Sequence, residues 1–591
     1  MRTIIKSIFL GSLAMPLFFS CQQPQPQRVS EMRPKQKPVI YQVMTRLFGN
    51  DSLQNVYNGT IDQNGVGKFN DFTTTALDSI RAMGFNHIWY TGVIAHGSKT
   101  DYSAYGIPKN HPGTIKGNAG SPYAIRDYYD VDPDMAVDVD NRMNEFESLV
   151  KRSHESGLKV ILDFVPNHVA REYKSIKAPE GVVGLGDNDD TTKAFDVRNN
   201  FYYLPGQKLR AQFDTEGYVE LPAKATGNDV FSATPSRDDW YETIKLNYGV
   251  DYVNGKTTHF DEIPDTWTKM RDILLFWSAK GIDGFRTDMA EMVPVEFWQW
   301  AIPQVRAKYP EMVFIAEIYN PEAYRAYIKQ GDFDYLYDKV GLYDTLKYVI
   351  QGKSPASAIQ VSVDKLGSLQ SHMLNFLENH DEQRIASADF AGVAEAGIPM
   401  MIVSATYNDS PVMVYFGQEL GEEAKGAEGF GGDDGRTTIF DYYGIDKIKR
   451  WRNGGKYDGG QLTAREKSLQ QFYKHLLNTL NAEKAITLGS VTDLTEANRN
   501  NPDYNAKTDF AYIRKQDNEL ILGVVNFSDQ PSSPTISIPT SVFKELGIPT
   551  DAKLKGIDLL SGSKEQSVLS STKPFKVTLQ PYSGKLIKFV F

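Results

Sequence analysis

From about residue 38 to 420, short apolar runs rich in Val, Ile, Phe and Tyr alternate with stretches whose apolar positions recur every three or four residues. The runs are "PVIYQVM" (38–44), "NHIWYTG" (86–92), "LKVILDFV" (158–165), "GIDGFRTD" (281–288), "MVFIAEIY" (312–319), "FDYLYD" (333–338), "HMLNFLEN" (372–379) and "PVMVYFG" (411–417). Nearly continuous apolar character over so few residues fits a strand buried on both faces. The intervening pattern, as in "FTTTALDSIRAMG" and "MNEFESLVKRSHESG", has the helical period and stops at glycine. Eight such alternations predict the α/β class, and a closed (β/α)8 TIM barrel over an open doubly wound sheet. No G-x-G-x-x-G follows the first run, which takes support from a dinucleotide-binding alternative.

The alternation breaks in three places. Between Val169 and about Asn247 the chain is polar and glycine-rich ("GVVGLGDNDDTT") with scattered Tyr and Trp, too long for a plain connection. It leaves after the third strand, on the face where barrel active sites form, and reads as an inserted subdomain. Past about residue 480, "DFAYIRKQDNELILGVVNFSD", "SPTISIP" and "KVTLQPYSGKLIKFVF" alternate with turn residues, as antiparallel strands of a C-terminal β-sandwich would. The opening "MRTIIKSIFLGSLAMPLFFSC" has Arg2 and Lys6, an apolar run from Ile8 to Phe19, then Ser20-Cys21. Its charge and length are those of a secretory signal. A cysteine directly after a small residue resembles the bacterial lipoprotein signal, which would leave Cys21 as the lipidated first residue, although Phe18 stands where leucine is usual. The expected division is a signal at 1–21, a proline-containing tether at 22–37, a barrel built from 38–168 and 241–475, an inserted subdomain at 169–240, and a β-sandwich at 480–591.

Composition narrows the function. Lys and Arg number 64 against 74 Asp and Glu, a net charge of −10 with no long basic run, which argues against nucleic acid or an anionic membrane surface as partner. Contact with a membrane is expected only through a lipid on Cys21, at a bacterial cell envelope, periplasmic or outer. Cys21 is the single cysteine, so the mature domains have no disulfide. The 32 Tyr would suit sugars, whose rings offer an apolar face and polar edges, as well as ordinary packing.

Catalysis in a βα barrel occurs at the C-terminal strand ends, and these ends are polar here. The third carries Asp163, Asn167 and His168, the fourth Arg286 and Asp288, the fifth Glu317, and the seventh Asn379, His380 and Asp381. Asp288 and Glu317 are about one strand–helix unit apart and belong on adjacent strands. Three acids on one rim suit retaining glycoside hydrolysis, in which one carboxylate attacks the anomeric carbon and a protonated carboxyl supplies the leaving oxygen with its proton. Arg286, two residues from Asp288 on the same strand face, is expected to hold that carboxylate ionised as the nucleophile. Glu317 has no sequence-adjacent cation and is the expected proton donor, while Asp381 would hold sugar hydroxyls. Two carboxyl groups perform this chemistry without a cofactor.

The strand ends resemble those of the α-amylase family of retaining α-glucan enzymes, whose four recognised segments occur here in order: "DFVPNH" (163–168), "GFRTDMAEM" (284–292), "AEIYNP" (316–321) and "FLENHD" (376–381). The resemblance covers roughly residues 38–591, since the family also has an inserted domain and a C-terminal β-domain. It implies Asp288 as nucleophile, Glu317 as acid/base and Asp381 as transition-state stabiliser, with His168, Arg286 and His380 lining the subsite of cleavage. "SPYAIRDYYDV" resembles the family's tyrosine-bearing segment, so Tyr123 is expected to stack on that sugar. Asp163 is expected to orient Arg286 or close the rim. Asn167 matches the family's calcium-binding asparagine and is the candidate ligand of a structural calcium, but "IKLNY" puts Lys245 where many relatives have aspartate. Glu291 and Met292 replace the lysine–histidine pair of many endo-acting amylases. The implied substrate is an α-1,4-linked glucan or maltooligosaccharide. A glucanotransferase using the same residues, and a lipid-anchored glycan-binding protein without catalysis, are the competing readings.

Overall fold

The computed structural model describes residues 37–591 apart from 427, 428, 431 and 551; Cys21, the expected signal and nearly all of the tether lie outside them. Each of the eight apolar runs contributes one strand: β1 (Val39–Met44), β2 (His87–Thr91), β3 (Lys159–Phe164), β4 (Gly284–Thr287), β5 (Val313–Ala316), β6 (Tyr335–Tyr337), β7 (Met373–Leu374) and β8 (Val412–Tyr415). Successive strands pair in parallel, and β8 returns to β1 from Val39↔Val412 to Gln42↔Tyr415. The seam between β7 and β8 is thin: a bridge at Asn375↔Val412, with Asn375 N–H donating to Pro411 O and Met413 N–H to Asn375 O. It closes the (β/α)8 barrel. Several strands are shorter than their apolar runs. After Leu374 the run continues through Phe376 and Leu377, but these are buried by packing outside the sheet ladder, a distinction that hydrophobicity alone does not make.

Helices α1 (Thr74–Ala82), α2 (Arg142–Glu155), α3 (Asp265–Ser278), α4 (Val295–Arg306), α5 (Tyr324–Lys329), α6 (Asp344–Ile350), α7 (Gly397–Thr406) and α8 (Ala464–Ala482) accompany the strands. Helix α1 begins where Thr73 Oγ1 accepts the Ala76 N–H and ends before Gly84. Gly84 has φ +109, and a β-carbon there would fall within 3.0 Å of the α8 backbone, so only glycine allows this approach.

Two excursions rise from the C-terminal rim. The first was not anticipated: after β2, Ile94–His96 pairs antiparallel with Ile125–Val131, and the end of the long connection between them carries Tyr123. The second is the long polar segment after β3. His168–Ala170 pairs antiparallel with Thr243–Lys245, in the register His168↔Lys245, which zips the neck of the excursion shut and sets Lys245 beside the rim.

The C-terminal residues form a six-stranded antiparallel sheet of β9 (Ser490–Asp493), β10 (Asp509–Gln516), β11 (Glu519–Asn526), β12 (Leu554–Asp558), β13 (Lys564–Leu569) and β14 (Ser583–Val590), in the order β9-β10-β11-β14-β12-β13. A ribbon of Thr535–Ile536 and Phe575–Lys576 and the helix Thr540–Glu545 cover one face around Leu520, Leu522, Phe543 and Phe589. The barrel covers the other face near α7. There the buried Arg514 donates to Tyr407 O at 3.0 Å, and Phe510 meets the Tyr407 ring at 5.2 Å.

Candidate active site

Register builds the site. On β4, Arg286 lies opposite Asp163 of β3 and Ile315 of β5, and Thr287 lies opposite Ala316. One residue further, Asp288 N–H donates to Phe164 O at 2.9 Å and Glu317 N–H to Thr287 O at 3.1 Å, so the two acids leave adjacent strands at the same level. Alternation along β4 puts Arg286 and Asp288 on one side.

The Arg286 guanidinium is fully buried beneath them. Its Nη1 donates to Asp288 Oδ1 at 2.9 Å and Asp163 Oδ1 at 3.3 Å, and its Nε to the Tyr337 hydroxyl at 3.1 Å. Its Nη2 stands 2.7 Å from Glu317 Oε2 as an ion pair. Glu317 has no sequence-adjacent cation, as expected, but a cation reaches it from the neighbouring strand, which its sequence neighbourhood does not reveal. Asp163 is fixed by a second donor, Trp89 Nε1 at 2.9 Å, and so orients Arg286 from the neighbouring strand.

The electrostatics differ from the simple expectation for Asp288. Burial pushes its carboxyl well above the ordinary aspartate range; Arg286 opposes that shift, while Glu317, Asp381 and Asp163 add to it. One guanidinium shared among crowded carboxylates cannot hold each of them low. Asp163 is likewise raised, by burial against the pull of Arg286 and His380. Asp381 goes the other way: burial pushes it up, but His380, Arg286 and Arg436 together hold it below its ordinary value.

Glu317 is gripped by residues that sequence reasoning missed. Its Oε2 accepts the Met289 N–H at 2.8 Å and its Oε1 the Tyr319 hydroxyl at 2.7 Å. Met289 presents that N–H from a left-handed conformation, φ 43, which costs a non-glycine residue about 1 kcal/mol. Glu291 accepts the N–H groups of Tyr319 at 3.2 Å and Asn320 at 3.1 Å, tying the loop after β5 to the turn after β4. The residue that departs from the family's lysine is thus a brace for the Glu317 loop. Tyr319, two residues beyond Glu317, was findable by the same i, i+2 spacing that paired Arg286 with Asp288; Met289 N–H carries no sequence signal.

Across the mouth, Asn379 Oδ1 accepts the N–H groups of Asp381 and Glu382, both at 2.9 Å, and shapes the turn that presents Asp381. Arg436 Nε donates to Asp381 O at 2.7 Å. With its side chain 27% exposed against 8% for Asp288 and 4% for Glu317, Asp381 is the most accessible of the three acids. His380 Nε2 lies 2.9 Å from Asp381 Oδ2 and 2.5 Å from the Tyr123 hydroxyl, and its Nδ1 is 2.8 Å from Gln42 Nε2 of β1. The Tyr123 and His380 rings stack at 5.1 Å. His168 Nε2 is 3.9 Å from Asp288 Oδ2; burial and then Lys245 push its pKa down to about 3, so this imidazole is neutral. The expected site residues Asp163, His168, Arg286, Asp288, Glu317, His380, Asp381 and Tyr123 thus form one connected cluster.

Asn167 belongs to a separate joint behind it. Its Oδ1 is held by Lys245 Nζ at 2.5 Å, and the same ammonium reaches Asp229 Oδ1 at 2.6 Å and Met292 O at 3.3 Å. Burial lowers the Lys245 pKa and Asp229 resists that shift. One carboxylate, one amide oxygen and one carbonyl around an ammonium do not fit a calcium ion, which takes six to eight oxygens. Among the described residues no group of three or more His, Cys, Asp or Glu is arranged to hold a metal.

A parallel eight-stranded barrel with three acids on its C-terminal rim is the frame of a glycoside-cleaving enzyme. The family described as "Alpha amylase, catalytic domain" matches residues 57–451. Alpha-amylase 3 of Dictyoglomus thermophilum is 22% identical over 489 residues, 79% of this chain and 82% of its own. Neopullulanase 2 of Thermoactinomyces vulgaris is 21% identical over 471 residues, 79% of this chain and 65% of its own. The crystal structure of the α-amylase from Geobacillus thermoleovorans, complexed with acarbose, superposes with a TM-score of 0.61 at 19% identity, covering 94% of this chain and 98% of that one. This chain belongs to the α-amylase family of α-glucan-active glycoside hydrolases and transferases.

The shared guanidinium sets a measurable cost. Arg286→Met should lower stability by about 3–5 kcal/mol at pH 7, because buried carboxylates lose their counter-charge. Without Arg286 the already raised folded-state pKa values of Asp288 and Asp163 rise further above the unfolded ones, so folding takes up protons and the deficit shrinks as pH falls toward 4. Denaturant melts of both proteins at pH 7 and pH 5 measure this; an equal deficit at the two pH values would contradict it.

Proposed function

We propose that the protein hydrolyses α-1,4-glucosidic bonds in starch-derived glucans or maltooligosaccharides, with net retention. The observation that carries this reading is the pair of carboxylates from adjacent strands resting on one guanidinium, Asp288 at 2.9 Å and Glu317 at 2.7 Å. Two carboxyl groups held on neighbouring nitrogens of one guanidinium flank a single point, as double displacement by a nucleophile and an acid/base requires. Asp288 attacks the anomeric carbon as Glu317 protonates the departing glycosidic oxygen. The covalent glycosyl-enzyme is then hydrolysed by water that gives its proton to Glu317. Asp381, held ionised by His380, Arg286 and Arg436, accepts hydroxyl hydrogen bonds from the distorting ring. His168, which is neutral, and His380 hydrogen-bond the same sugar, and Tyr123 offers it an aromatic face. A sugar hydroxyl replacing the water would make the enzyme a glucanotransferase; the same residues serve both.

From "FFSC" we further infer that Cys21 carries lipid and that the enzyme works at a bacterial cell envelope. Cys21→Ala should move the protein from the membrane fraction to the soluble fraction; retention of the variant in membranes would refute the anchor.

Asp288→Asn should lower turnover of maltooligosaccharides roughly 10⁴-fold or more, the scale on which loss of a nucleophile acts, while leaving the melting temperature in place. NMR of early wild-type products should show the α-anomer first; the β-anomer would refute retention. Maltotriose incubation should give shorter products, whereas accumulation of longer ones would move the assignment to transfer. Because burial and neighbouring carboxylates raise the Asp288 pKa, its active ionised form is lost as pH falls through that raised value. The acid limb of kcat/KM should therefore lie well above the 3.8 of an ordinary aspartate. A limb at or below 3.8 would show that Asp288 does not limit activity there.

A further inference from the structure

Three segments with separate origins converge behind the catalytic cluster: Asn167 from the turn after β3, Asp229 from the long excursion, and Met292 from the turn after β4. Each directs an oxygen at Lys245 Nζ, at 2.5, 2.6 and 3.3 Å respectively. The Lys245 side chain is 2% exposed, so this is an internal charge. Asp229 itself sits at φ 65, a left-handed conformation that aims its carboxylate at the ammonium. Asn167 is fully buried and its Nδ2 donates to Gly227 O at 2.7 Å, two residues from Asp229, so the amide is fixed from both ends. The joint touches the active site on two sides. Asn167 precedes His168, which stands 3.9 Å from Asp288, and Met292 closes the turn that begins at Met289, whose N–H holds Glu317.

We propose that the Lys245 ammonium is the permanent structural cation of this joint, clasping the excursion and the two catalytic turns together, and that the joint neither binds nor requires calcium. An ammonium has three donors, and this joint presents three acceptors. A calcium ion in the same place would displace Nζ and find a single carboxylate, too few oxygens and too little charge. The register His168↔Lys245 delivers the side chain there, so the cation is built in by strand pairing and does not exchange with solvent. The consequence is an enzyme whose site geometry is independent of the metal content of its surroundings. This inference concerns the support of the site, and stands apart from which glucan is cleaved or whether water or a sugar accepts it.

The experiment is a set of thermal melts of the full chain after chelation with EDTA and again with millimolar calcium chloride. Wild-type melting temperature should be the same in both. Lys245→Met should melt lower than wild type by about 3 °C or more, equally in both, since Asp229 and Asn167 lose their partner and no ion replaces it. Lys245→Asp supplies a second carboxylate beside Asn167 Oδ1, Asp229 and Met292 O, and should melt higher in calcium than in EDTA. A wild-type protein destabilised by EDTA and restored by calcium would overturn the proposal, as would a Lys245→Met variant that melts like wild type. A Lys245→Asp variant indifferent to calcium would overturn the identification of the joint as a cation site.

Discussion

The site depends on a guanidinium held in the barrel with no access to water. Bringing Arg286 there costs several kcal/mol of lost hydration, and that cost is offset only because Asp163, Asp288, Glu317 and the Tyr337 hydroxyl meet it from four directions. The arrangement fixes more than charge. Asp163 anchors the arginine from β3, with Trp89 holding Asp163 in turn; Glu317 approaches from β5; and the planar fork leaves each carboxylate little freedom. Asp288 and Glu317 thus share one counter-charge whose position is set by the parallel register of β3, β4 and β5.

Sharing has an electrostatic consequence. A lone exposed Arg–Asp pair would hold its carboxylate low, but burial first, and then the neighbouring carboxylates Glu317, Asp381 and Asp163, raise Asp288 against the pull of Arg286. Asp381 escapes because His380 and Arg436 are close to it. Two acids on one rim are thus driven in opposite directions, Asp288 up and Asp381 down, by burial and by which cations stand nearest.

The rim is held by polar ties between loops. Glu291 binds the backbone after β5, Arg436 binds the carbonyl of Asp381, and Lys245 binds the two turns to the excursion. Each tie ends on a backbone group of another segment, so a change in any one loop is felt at the acids. These ties fix how the loops that carry Asp288, Glu317 and Asp381 stand against one another.

The eight strands, their parallel order and the identity of the rim acids were legible in the chain because they rest on local signals: apolar runs, helical period, and side-chain alternation that sets Arg286 beside Asp288. The excursion before Tyr123 was not legible, since its strands Ile94–His96 and Ile125–Val131 are polar enough to pass for loop. Nor was the counter-charge of Glu317, which comes from 31 positions back in the chain; and although Lys245 stood out where relatives have aspartate, its direct grip on Asn167, 78 positions away, was not legible. Sequence by itself determined which groups are present and on which strand ends, because strand period and strand order are properties of neighbouring residues. Tertiary structure alone decided which groups touch, and therefore how their charges divide, because Coulomb and hydrogen-bond interactions depend on distances that barrel closure sets between residues far apart in the chain.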